Sequence, residues 1–136
     1  MTTQAIRQVK QILIDLKLER FIEDKSGITL PSGIAGAFSV GFSENFHEYT
    51  VHFGDWQGHF IKTNLDDALN CLIYGLTQPT RIKIYARQGV RYKWQLQFRE
   101  KGKWSNYTSC QKFAYPYLGK LTLEYQENYP LEELAA

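Results

Sequence analysis

One stretch, Thr80 to Arg99, constrains the fold of this chain more than any other. Ile82, Ile84 and Ala86 alternate with polar neighbours, and so do Tyr92, Trp94, Leu96 and Phe98. A period of two over such lengths predicts strands with one apolar face. The connection Arg87-Gln-Gly-Val90 is short and carries the glycine that a tight hairpin wants, so the two strands, Thr80 to Ala86 and Arg91 to Arg99, are expected to pair antiparallel.

The same alternation has a consequence for charge. With Ile82, Ile84 and Ala86 inward, Arg81, Lys83, Tyr85 and Arg87 point outward, and Arg91, Lys93 and Arg99 are expected to join them from the second strand. The formal net charge is only +2, but residues 81–120 hold ten basic residues and a single acid, Glu100. Residues 1–80 hold six basic and nine acidic residues, and residues 121–136 hold four acids and no base. Like charges crowded on one sheet face cost stability, so the basic hairpin asks for a counterpart. An anionic macromolecule is one: an acidic protein surface, or a phosphate backbone with Tyr85 stacking a base. The acidic C-terminal residues Glu124, Glu127, Glu132 and Glu133 are an intramolecular one. A third reading needs no partner, because Lys and Arg shield a wet sheet face and discourage edge pairing.

The other elements follow from period and punctuation. Ile6, Val9, Leu13 and Leu16 fall three or four apart, which predicts an amphipathic helix over about Thr3 to Glu23, with Gly27 as its terminator. Pro31 and Gly33 punctuate the link that follows. Ala37 to Phe42 and Glu48 to Phe53 read as a strand pair, with a short third strand in Trp56 to Lys62. Asn64 to Leu76 reads as a second helix, with Asn64 at the N-cap, Asp66 and Asp67 in the first turn, Gly75 weakening the last turn and Pro79 preventing continuation. Strands around Trp104 to Thr108 and Lys120 to Gln126 complete the order α-β-β-(β)-α-β-β-β-β. The expected fold is α+β: one domain over residues 1–136, an antiparallel sheet of five to seven strands packed against two helices. An aromatic share of 15% suits a core carried by strands.

Several classes are disfavoured. No apolar run approaches the roughly 18–20 residues of a membrane span, and charges break the N-terminal apolar stretches as they would not in a signal peptide. Two cysteines, Cys71 and Cys110, with no CxxC, suit a reducing compartment, so a cytoplasmic location is expected. Cys71 reads as a packed helix residue. No GxSxG, P-loop or GxGxxG in its proper setting is present, no catalytic residue is assigned, and no cofactor is expected. The run Phe113-Ala-Tyr-Pro-Tyr117 is either an exposed patch or a core cap.

His47, His52 and His59 cluster within 13 residues beside Glu44, Glu48 and Asp55. Their spacing offers no paired ligands, so no metal site is expected. Between Phe53 and Phe60, two glycines, Asp55 and Trp56 either shape a loop over a pocket or plug Trp56 into the core. Two functions of different class result. The first is a binding protein that uses Arg81, Lys83, Tyr85, Arg87, Arg91, Lys93 and Arg99 against an acidic protein, as an inhibitor or immunity protein would, or against nucleic acid. The second is a small-molecule-binding domain or enzyme with a pocket near His52, Asp55, Trp56 and His59. Homo-oligomerisation is compatible with either.

Overall fold

A computed structural model describes residues 3–31, 38–111 and 119–128. Helix α1 runs from Gln4 to Asp15, opened by Thr3, whose hydroxyl accepts the Ile6 N–H at 3.2 Å. It ends earlier than its apolar period suggests. Lys17 takes a left-handed φ of 62°, its N–H bonds the Ile14 carbonyl, and the Leu18 N–H bonds the Leu13 carbonyl at 2.8 Å. These paired bonds are a Schellman closure, sealed by contact between buried Leu13 and Leu18 and made here without glycine. Phe21 and Ile22 therefore lie beyond the helix, and Gly27 is a strand residue rather than its terminator.

Five strands follow: β1 (Ile22–Glu23), β2 (Gly27–Leu30), β3 (Val40–Glu44), β4 (Glu48–Phe53) and β5 (Trp56–Ile61). They form one antiparallel sheet in sequence order. In register, Ile28 faces Phe42, Phe42 faces Val51, and Val40 faces Phe53, so these side chains share the buried side. Helix α2 (Leu65–Thr77) and α1 cover that side. Ala68, Leu69, Leu72 and Leu76 make the apolar stripe of α2, with Cys71 buried beside them. Asn64 precedes α2 but makes no side-chain cap; its carbonyl accepts the Ala68 N–H.

After α2 come β6 (Thr80–Arg87), β7 (Val90–Glu100), β8 (Lys103–Gln111) and β9 (Leu121–Asn128). They form a second antiparallel sheet in the order β8-β7-β6-β9. The α+β class and the order of helices and strands are as expected, with the strands divided between two sheets. The sheets meet through side chains: Trp56 of β5, fully buried, donates its indole N–H to the Thr108 carbonyl of β8 at 3.0 Å. Its ring also stacks on Phe53, 5.7 Å between centroids. That settles the segment Phe53 to Phe60 as a turn at Gly54-Asp55 followed by β5, with Trp56 plugged into the core. Among the described residues, no helix is long and apolar enough to cross a membrane.

Candidate interaction surface and pockets

The second sheet has one core face and one outward face, and strand register assigns every residue to one of them. On β6, Thr80, Ile82, Ile84 and Ala86 are buried while Arg81, Lys83, Tyr85 and Arg87 are half-exposed. Gln88 and Gly89 form a two-residue turn with φ of 52° and 76°, the double left-handed geometry whose twist matches a tight hairpin. A bulge then changes the expected phase. Lys93 pairs with Tyr85, Arg91 pairs with Ala86, and Tyr92 is the extra residue. Lys93 thus joins the outward face, as expected, and so does Arg99, which pairs with Trp104 two residues beyond outward Gln97. Arg91 does not. It lies on the opposite face, where its Nε meets Glu124 at 2.9 Å.

Six of the seven anticipated residues are therefore together, but most of them are already engaged. The Arg81 guanidinium is sandwiched between the rings of Trp104 at 4.2 Å and Tyr125 at 4.4 Å. Its Nε donates to Gln97 Oε1 at 2.6 Å, and Glu127 stands 4.0 Å away. Lys83 and Lys93 lie over the Tyr85 ring at 5.2 and 5.0 Å, so one aromatic ring attracts both ammonium groups and offsets part of their repulsion. Arg87 donates to the Gly119 carbonyl at 2.9 Å.

Strand β9 supplies what sequence reasoning missed. Its register sets Leu121 opposite Arg87, Leu123 opposite Tyr85, Tyr125 opposite Lys83 and Glu127 opposite Arg81. Leu121, Leu123 and Tyr125, a plain apolar alternation in the sequence, consequently face outward and are 38%, 43% and 45% exposed. The signal was the polar partners between them: Thr122, Glu124 and Gln126 occupy the other face of an edge strand. Glu124 and Glu127 do serve as intramolecular counter-charges, to Arg91 and Arg81. Glu132, Glu133 and the run Phe113 to Tyr117 lie outside the described residues.

The histidines go to separate environments. His47 sits in the β3–β4 turn, where its backbone N–H donates to Asn45 Oδ1. His52 lies across Gly41, where an added Cβ would fall closer than 3.0 Å to the imidazole, and burial holds its pKa below the ordinary value. His59 approaches Glu48 Oε1 at 3.0 Å and the Thr50 hydroxyl at 3.2 Å. Among the described residues, no three His, Cys, Asp or Glu side chains converge as metal ligands. Of the anticipated pocket residues, Asp55 and His59 do line one cavity, of about 400 Å³, together with Gly54, Gln57, Trp94, Cys110 and Gln111. His52 and Trp56 do not line it. Trp94 lines this cavity, and its indole N–H is buried and has no hydrogen-bond partner among the described residues.

Comparison with known proteins found no matching family model, curated protein or solved structure.

Proposed function

We propose that this domain is a binding protein whose outward β8-β7-β6-β9 face docks on an acidic protein surface. One observation carries the reading. On that face Arg81, Lys83, Arg87, Lys93 and Arg99 are interleaved with Tyr85, Trp104, Leu121, Leu123 and Tyr125, while Glu127 is its one carboxylate among the described residues. Arginine and aromatic side chains, with few acids, are the composition that protein interfaces favour.

The exposed leucines favour a protein over a nucleic acid as the anionic partner. Leu121 and Leu123 have no use against a phosphate backbone but gain from burial against a protein. The rings that would stack bases are turned to other work, Trp104 and Tyr125 on Arg81 and Tyr85 on two lysines.

The test is capture from lysate, with and without nuclease treatment, by the wild-type domain, a Lys83→Glu/Lys93→Glu variant and a Leu123→Asp variant. The expected result is one acidic protein retained by the wild type and lost with either variant. Retention that disappears with nuclease would reassign the face to nucleic acid. An unchanged set on both variants would remove the face as a binding site.

A second reading rests on the Trp94 cavity. A buried indole N–H without a partner among the described residues favours a small ligand that offers an acceptor to it, with Gln57 and His59 also lining the cavity. Titration with a panel of small carboxylic acids and amides, read by tryptophan fluorescence in the wild type and in a Trp94→Phe variant that keeps Trp56 and Trp104, tests it; no saturable change that depends on Trp94 would dismiss it.

A further inference from the structure

A second cavity of about 400 Å³ opens on the core side of the same sheet, away from the cationic face. Its walls are built by three elements. Helix α2 contributes Asp67 and Tyr74, seven residues and so two turns apart on one helix face. Strand β5 contributes Phe60, and the β7–β8 hairpin contributes Phe98, Glu100 and Tyr107.

The rings are fixed edge to face. Tyr74 stands on Phe98 at 4.5 Å between centroids and 81°, and Phe98 on Tyr107 at 5.5 Å and 68°. Tyr107 is anchored behind by Trp56, at 6.0 Å. Its hydroxyl hydrogen-bonds the Cys71 thiol, and burial, with the nearby Cys71 and Asp67, pushes its pKa up to about 12. At neutral pH the ring is therefore an uncharged phenol. The Tyr74 hydroxyl donates to Glu100, which holds that carboxylate at the rim.

Charge is one-sided. Asp67 and Glu100 both line the cavity, and no Lys or Arg does among the described residues. Among the described residues neither carboxylate forms an ion pair, although Lys103 stands opposite Glu100 in the strand ladder. Four aromatic rings, electron-rich at their faces, line the cavity, and two carboxylates supply a negative potential. A large, weakly hydrated cation gains from both, because leaving water costs it little and ring and carboxylate attract it together. An inorganic cation lacks the oxygen cage it would need, and an anion would be repelled.

We propose that this cavity is a binding site for an alkylammonium group, with the rings of Phe60, Tyr74, Phe98 and Tyr107 against its methyl groups and Asp67 and Glu100 as its counter-charges. The site is independent of the cationic face: it lies on the other side of the sheet and shares no residue with it. The group has two sources, a free quaternary amine or a methylated lysine side chain on a peptide, and the cavity chemistry is common to both.

The experiment titrates the full chain, by calorimetry, with choline, with its uncharged carbon isostere 3,3-dimethylbutan-1-ol, and with a short peptide carrying trimethyllysine or unmodified lysine. At least one of the two quaternary ligands is expected to saturate in the range of about 1 mM or tighter, and choline to bind roughly tenfold better than the isostere. Whichever of choline and the trimethyllysine peptide binds more tightly identifies the source. Asp67→Asn/Glu100→Gln, both at exposed positions, should weaken that binding by at least about tenfold. An unchanged melting temperature would show that the fold is intact. Equal binding of choline and the isostere, no saturation by either quaternary ligand, or an affinity indifferent to loss of both carboxylates would overturn the proposal. A Lys83→Glu/Lys93→Glu variant should bind the ammonium ligand as the wild type does, so failure of the cationic-face reading and failure of this one are separable.

Discussion

Replacing Gly75 with alanine sets two effects against each other, and the structure says which one wins. Gly75 lies inside α2, where alanine is worth about 1 kcal/mol over glycine by helix propensity. Read locally, then, Gly75→Ala stabilises. An added Cβ, however, would fall closer than 3.0 Å to Cζ and Cε1 of Phe53 and 3.1 Å from its Cε2. The ring has little room to yield. Phe53 is fully buried, stacked on Trp56 at 5.7 Å and edge-on to Phe38 at 6.3 Å. Overpacking of this kind costs about 1–3 kcal/mol, and an immobile aromatic neighbour places it near the upper end. The net expectation is a loss of about 2 kcal/mol, or a fall in Tm of roughly 8 °C for a domain of this size. Urea unfolding followed by tryptophan fluorescence measures it. Phe53→Leu in the Gly75→Ala background should recover part of the loss, with a coupling of at least about 1 kcal/mol in the double-mutant cycle. A Gly75→Ala variant as stable as the wild type, or more so, would refute the reasoning, and so would strict additivity with Phe53→Leu.

Three further outcomes are expected. Cys71, whose thiol is pushed up to about 12 by burial despite a hydrogen bond from Tyr107, should resist a thiol reagent at pH 8 in the native protein, while the half-buried Cys110 reacts; equal rates would contradict the burial. Burial depresses the His52 pKa below 6.5, so the unfolded chain takes up the proton first as the medium acidifies; stability is full above about pH 6.5 and falls as pH drops through the folded-state pKa. Melting curves from pH 7.5 to 5 should therefore slope less steeply for His52→Gln than for the wild type, and parallel slopes would exclude His52 as a source. Finally, Arg91→Glu, on the face opposite Lys83 and Lys93, should leave capture of the acidic partner intact, although it brings a like charge to Glu124; loss of capture would place the binding face wrongly.

What was legible in the chain was whatever depends on near neighbours. The hairpin around Gln88-Gly89, the apolar stripe of α2 and the outward placement of Arg81, Lys83, Tyr85 and Arg87 all follow from a period and a turn residue. The errors have the same physical origin. Helix α1 stops at Asp15 because Lys17 accepts a left-handed conformation that Leu13 and Leu18 repay by packing, and no local preference announces that trade. Arg91 changes face because a single extra residue, Tyr92, enters β7, and a one-residue slip inverts everything beyond it.

By itself, then, the order of residues determined the α+β class, the antiparallel pairing within hairpins and the concentration of positive charge on one strand pair. Only the tertiary structure decided that the strands split into two sheets, that β9 lays Leu121, Leu123 and Tyr125 beside the cations, and that Asp67 and Glu100 meet around four rings. Periodicity is a property of adjacent residues and survives in a one-dimensional reading. A site assembled from residues dozens of positions apart exists only once buried contacts such as Trp56 on Thr108 fix the distances between elements.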